Sequence, residues 1–363
     1  MSEEIKRDLT LPVLDGLRGV AALNVMVSHY SNESLLWGGL LGKGAGQTGV
    51  MLFFLLSGFL MTYLHIDQPF RAPEVKTYLL RRFARVYPLF VLVAAFPLLL
   101  QRLHFPAGVA MKEVNTFTVY LRQIALLDRG VGVFWTIRVE LLFYLVFVAI
   151  WLIHRKVENK WITAALLLSA LVALRIHHNT FQVQFFEKVH YFLFGVTSAM
   201  ALPYGRKYRH WLLAGCGLLL FLSFPLTYPK VSLVLFHVEL DPWRSDLVAV
   251  FLIALFNVTL RDGRWLYRLL ASRGARWLGK VSYSVYLLHY FVLLTVLSWV
   301  KPEAGHIVRF SLFLVGSLLF AALSNRLLER PIQRFVLGVP QWKFWRGNKL
   351  VQLSPVLPVT EPQ

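Results

Sequence analysis

Apolar stretches of about 20 residues, the length of one bilayer crossing, recur along this chain between short basic segments. That rhythm constrains the fold more than any single motif. In hydrocarbon every backbone polar group must be satisfied within the segment, so such stretches fold as helices. Ten spans fit the pattern, near 12–30, 49–66, 84–101, 133–153, 160–176, 187–203, 210–228, 246–261, 281–299 and 307–326. Charged residues make up 16% of 363 residues, against about 25% in an ordinary soluble domain. The expected fold is therefore an all-α polytopic membrane protein with ten transmembrane helices.

The formal net charge of +19 raises the question of nucleic acid. The bases, however, sit in short segments between apolar runs, which is the positive-inside pattern of a membrane protein. Taking the N-terminus, the even-numbered loops and the C-terminus as one side places 25 of the 38 Lys and Arg there. The opposite side has 11, and Arg18 and Arg138 lie within spans, which accounts for all 38. The expected orientation is N-in and C-in, with the lipid bilayer as partner and no nucleic acid. Residues 1–12 mix acidic and basic groups, unlike a cleaved signal. Residues 1–335 read as one membrane domain, and 336–363 as a basic, Pro-containing, flexible cytoplasmic tail that can touch anionic lipid. The single cysteine, Cys216, excludes an internal disulfide and any CxxC site, and reads as a packing residue.

Polar groups inside apolar spans are costly and usually face the protein interior or a wet cavity. Arg18 and His29 lie eleven residues apart in LPVLDGLRGVAALNVMVSHY. On a helix they share a face, separated by about 16 Å along the axis. The topology puts Arg18 toward the cytoplasm and His29 toward the outside. It also puts Glu140 toward the outside, His289 near mid-depth, and Arg82 and Arg85 at the inner mouth of the third span. A His with a carboxylate partner is equipment for general-base activation of a hydroxyl, and His29 with Glu140 is the natural pair. The competing reading of His29 is a helix cap at the interface. Arg81, Arg82 and Arg85 suit a polyanion such as a nucleotide phosphate, or serve topology alone. Asp15 and Arg18 have the i,i+3 spacing of a helical ion pair. Ser282, Tyr286 and His289 share one face of SYSVYLLHY, lining a polar channel or bonding between helices.

Residues 44–49, GAGQTG, match GxGxxG, but no strand precedes them and an apolar run follows. They read as a flexible loop. No HExxH, serine-hydrolase elbow or Walker A pattern is present, so no metal site is expected.

Six segments in order then resemble the acyltransferase-3 family of integral membrane acyltransferases, over nearly the whole chain to about residue 335. LDGLRGVAALNVMVSHY is similar to its opening Arg-x10-His segment, with Arg18 and His29. GVMLFFLLSGFLMTY resembles its second-span motif around Phe54, Ser57, Gly58 and Phe59. RRFARVYP, with Arg82 and Arg85, resembles the Arg-x-x-Arg segment, and FWTIRVELLFY places the family's Glu at Glu140. VSYSVYLLHY and LLERPIQRF match the late segments. Met51 stands where many relatives have an acidic residue, and Arg138 where a small one is common.

The resemblance implies transfer of an acyl group, most often acetyl, from cytoplasmic acetyl-CoA to a hydroxyl of an extracytoplasmic glycan or another small acceptor. No permanently bound cofactor is implied; acetyl-CoA is the donor substrate. In that reading His29, Glu140 and Arg18 carry the chemistry, and Arg82 and Arg85 hold the donor's phosphates. Arg18 stabilises a developing oxyanion or holds the donor. Asp15, Ser57, Tyr286 and His289 support substrate or structure. The hydrolase-like C-terminal domain of some relatives is not matched, so the membrane domain is expected to act alone or with a partner. A bacterial inner membrane is the implied location. Acylation of a small secreted molecule or lipid by the same fold, and a polytopic transporter, are the alternatives.

Overall fold

The computed structural model describes residues 12–39, 41–42, 45–104, 116–127, 132–159, 162–167, 169–170, 184–201 and 265–338. Among the described residues every regular element is helical. In chain order these are α1 (Pro12–Ser34), α2 (Ala45–His65), α3 (Ala72–Ala94), α4 (Phe96–Arg102), α5 (Phe117–Ile124) and α6 (Trp135–Val157). Then follow α7 (Gln184–Ala201), α8 (Trp265–Leu270), α9 (Arg273–Trp299) and α10 (Gly305–Ser324). A π-helical turn, Asn325–Glu329, joins α10 to α11 (Arg330–Val336).

Five of these stretches are long and apolar enough to cross a bilayer: Ala45–His65, Ala72–Arg102, Trp135–Val157, Arg273–Trp299 and Pro302–Val336. They contain the expected second, third, fourth, ninth and tenth spans, or nearly all of each. The chain is thus an integral membrane protein whose described residues form helices and no strands. Helices α1 and α7 fall on the expected first and sixth spans but are not apolar enough over a full crossing length to stand among the five. The fifth, 160–176, is described as helical only at 162–167 and 169–170. The seventh and eighth spans, Cys216, and the tail beyond 338 lie outside the described residues.

Two sequence expectations need correction. The third helix starts at Ala72, not near residue 84, because Pro73 fits its first turn and the basic segment continues the helix. Arg81, Arg82 and Arg85 therefore project from helical turns rather than from a loop. Residues 45–49 of GAGQTG are not a flexible loop either; they form the start of α2. Asn24 of α1 fixes that start, its Nδ2 donating to the Ala45 carbonyl at 2.8 Å and to Thr48 Oγ1 at 2.7 Å.

Helix α1 packs between α2 and α9, α2 also packs on α7, and α9 on α10. Small residues allow close crossings where lipid offers little drive for association. A Cβ at Gly279 of α9 would overlap the Asp15 backbone of α1. One at Gly58 of α2 would strike the Phe192 carbonyl of α7, and one at Gly195 of α7 the Leu55 carbonyl of α2. Side-chain bonds then tie the helices together. Tyr283 of α9 donates to the Val86 carbonyl of α3 at 2.6 Å. Buried Glu329 accepts from Ser284 at 2.7 Å and from Asn325 at 2.9 Å, linking α9 to the π-turn. Met51 is fully buried in the core.

The crossing of α2 and α7 gives a direct test. Gly58→Leu should destabilise the detergent-solubilised protein by about 1–3 kcal/mol through overpacking. Unchanged thermal unfolding would contradict backbone contact between α2 and α7.

Candidate active site

Among the described residues, two adjoining cavities in the bundle bring the polar groups together. The first is lined by Arg18 of α1, Ser57 of α2, Arg82 and Arg85 of α3, Glu140 of α6, and Ser282, Tyr283 and Tyr286 of α9. Each guanidinium arrives by helical phase. Arg82 and Arg85 are three apart and so share a face of α3, and that face is turned inward. Three guanidiniums against one carboxylate leave the cavity cationic. The Glu140 carboxylate is held by neutral donors, Tyr144 Oη at 2.6 Å and Ser57 Oγ at 3.1 Å. Arg82 also lies over the Tyr78 ring, 5.9 Å from its centroid. Among the described residues, Arg18 and Arg85 have no carboxylate within ion-pair distance, which leaves their donors directed at the cavity. Multiple guanidiniums in a partly enclosed site suit a multiply charged phosphate ligand.

The second cavity, of about 410 Å³, is lined by His29 and Asn32 of α1, Gln47 of α2, Trp135 of α6, and Glu187 and Lys188 of α7. Its mixture of amides, charges and an indole offers hydrogen bonds and one flat apolar face, the combination that recognises a polyhydroxylated ligand. Val50 and Tyr286 line both cavities, so the two adjoin at that point. Tyr286 is fixed there: its hydroxyl donates to the Val133 carbonyl at 3.0 Å and lies 3.1 Å from the Thr136 hydroxyl.

The placement of the sequence-derived candidates is informative. Arg18, Arg82, Arg85, Glu140, Ser57 and Tyr286 come together as lining residues of the first cavity. His29 and Glu140 do not meet, because each lines a different cavity. Glu140 groups with the arginines, since a carboxylate in a bundle gains most beside cations and donors. The carboxylate nearest His29 along α1 is Glu33, one turn on, which accepts from Tyr290 Oη at 3.0 Å. His29 itself is half-buried, its ring edge-on to His289 at 5.2 Å and to Tyr290 at 5.4 Å between centroids. Asp15 and Arg18 form no ion pair. Arg18 turns into the cavity, and the Asp15 backbone packs against Gly279. Of the α9 stripe, Ser282 bonds within its helix, to the Gly279 carbonyl at 2.8 Å, while Tyr286 reaches across to α6. Sequence reasoning passed over Tyr144, although it stands four residues from Glu140, the spacing that makes helical neighbours.

Comparison with known proteins gives a consistent family. The profile of an acyltransferase domain matches residues 11–326. The peptidoglycan O-acetyltransferase OatA of Listeria monocytogenes is 25% identical over 367 aligned positions, covering 89% of this chain and 56% of that protein. The O-acetyltransferase OatA of Staphylococcus aureus is 25% identical, with 89% of this chain and 57% of that protein covered. The chain thus spans little more than half the length of these curated relatives. No solved structure matches it.

The charge of the first cavity is open to a chemical test. In a Cys216→Ala background, Ser57→Cys should react about tenfold faster with an anionic than with a cationic methanethiosulfonate, given a cationic cleft. Equal rates would contradict a cationic cavity at Ser57.

Proposed function

This chain belongs to the acyltransferase-3 family, and on that premise we propose that it is a membrane O-acetyltransferase. It moves an acetyl group from cytoplasmic acetyl-CoA to a hydroxyl of an extracytoplasmic glycan. The observation that carries this reading is the pair of adjoining cavities, one ringed by Arg18, Arg82 and Arg85 and the other holding His29. The relatives' printed activities, O-acetyltransfer and in one case to peptidoglycan, support the acetyl group and the glycan.

In this reading the chain crosses a bacterial inner membrane ten times, N-in and C-in. Residues 1–335 form the membrane domain and 336–363 a cytoplasmic tail. Arg82 and Arg85 bind the donor's phosphates at the cytoplasmic end. The pantetheine arm extends past Tyr286 and brings the thioester to His29. The glycan enters the second cavity from outside, its hydroxyl against the His29 ring. His29 takes the hydroxyl proton as the oxygen attacks the thioester carbonyl. A C–O bond forms, the C–S bond breaks, and the proton passes from His29 to the departing thiolate. Glu140 limits the cavity's positive charge and keeps the guanidiniums apart. Arg18, at the inner end of the route, holds the donor.

The reading is tested with purified protein, radiolabelled acetyl-CoA and cell-wall glycan. His29→Ala should cut transfer by about 10²–10⁴-fold, the contribution of a positioned general base, while coenzyme A binding holds. Transfer at the wild-type rate in His29→Ala would contradict the assignment. Arg82→Ala and Arg85→Ala should each weaken coenzyme A binding about tenfold, the loss of one charge-assisted hydrogen bond. Unaltered binding by calorimetry would place the donor elsewhere.

A further inference from the structure

Among the described residues no carboxylate is hydrogen-bonded to His29, and a second histidine stands beside it. His289 is fully buried. Its Nδ1 lies 2.9 Å from the Tyr286 carbonyl oxygen and 3.0 Å from that of Val285. Carbonyl oxygens only accept, so Nδ1 must carry the proton. In the neutral ring Nε2 is then a bare lone pair. It is buried, and among the described residues no donor reaches it. A buried acceptor without a donor calls for an explanation. Among the described residues the N–H-bearing ring against it is that of His29, with centroids 5.2 Å apart and planes at 82°.

Resting on the general-base reading of His29, we propose that His289 is its positioning residue. One ring N–H of His29 turns onto Nε2 of His289, which leaves the other nitrogen of His29 deprotonated toward the second cavity. The helix supports this in series: the Val285 and Tyr286 carbonyls fix the tautomer of His289, and His289 fixes that of His29. The arrangement sets the tautomer through a neutral acceptor rather than through a carboxylate. The bond closes through a rotation of the His29 ring, as catalytic hydrogen bonds often tighten only when substrate is bound. When His29 takes the hydroxyl proton, the His289 lone pair receives the N–H of the imidazolium. The other charged or titratable groups around His29 are Glu33 on α1, Tyr286 and Tyr290 on α9, and Glu187 and Lys188 on α7.

The experiment is ¹⁵N spectroscopy of the imidazoles in histidine-labelled full-length protein in nanodiscs, with coenzyme A present. His29→Gln and His289→Gln assign the two rings. In wild type, His289 should show a protonated Nδ1 and a hydrogen-bonded Nε2, and His29 a single tautomer. His289→Phe should release His29 into a tautomer mixture. His289→Gln, whose amide oxygen can accept the same N–H, should hold the single tautomer. Acetyl transfer to chitopentaose, assayed in parallel, should lose about 10²-fold in kcat in His289→Phe with KM for acetyl-CoA unchanged. His289→Gln should recover most of that loss. A wild-type His289 Nε2 resonance of a free acceptor overturns the proposal even if the Phe variant does not fold. So does a His29 tautomer unaffected by His289→Phe. Either result alongside an inactive His29→Ala leaves the general-base reading standing, whereas an active His29→Ala removes that reading itself.

Discussion

A guanidinium inside an apolar bundle is tolerated only where it turns inward, and that constraint organises this protein. Arg18, Arg82 and Arg85 come from two helices distant in sequence and line a single cavity. Arg18 is accommodated because α1 lies inside the bundle between α2 and α9. Small residues permit that position: Gly279 brings the α9 backbone onto α1 at Asp15, and Gly46 and Gly49 bring α2 onto the opposite side. The charged cavity and the glycine-lined crossings are thus two consequences of one arrangement.

The chemistry is divided in the same way. Charge is gathered at the arginine end, where Glu140, held by Tyr144 and Ser57, supplies the one carboxylate of that cavity. At the other end His289 and Tyr290 lie against the His29 ring, and Glu187 and Lys188 line the same cavity. Tyr286 stands between the two ends and belongs to both linings, tied to Val133 and beside Thr136. A thioester passing from one cavity to the other would pass this residue.

Much of this was legible in the sequence. The apolar rhythm located five membrane-length helices because a bilayer imposes a length that composition displays directly. The intramembrane charges pointed to residues that line the first cavity because burial makes them expensive. What failed were the pairings. Glu140 and His29 looked like partners when depth was inferred from position within a span. Side chains several ångströms long, and the pull of three guanidiniums, placed the carboxylate in the other cavity. Asp15 and Arg18 had the spacing of an ion pair, but spacing does not reveal that Arg18 faces inward while Asp15 sits at a helix crossing. GAGQTG suggested a loop because glycine is a poor helix former in water. Among packed helices its lack of a side chain is what lets α2 approach α1, and Asn24 secures the first turn. His289 was visible as one of a polar stripe, but its tautomer follows only from the two carbonyl contacts.

The central claim is that donor and acceptor enter from opposite faces and meet inside the bundle. Proteoliposomes of one orientation test it, with radiolabelled acetyl-CoA outside against the cytoplasmic face and chitopentaose sealed within. The account expects label in the enclosed glycan and none when acetyl-CoA is enclosed with it and absent outside. Label only when both substrates share one side would contradict a route through the two cavities.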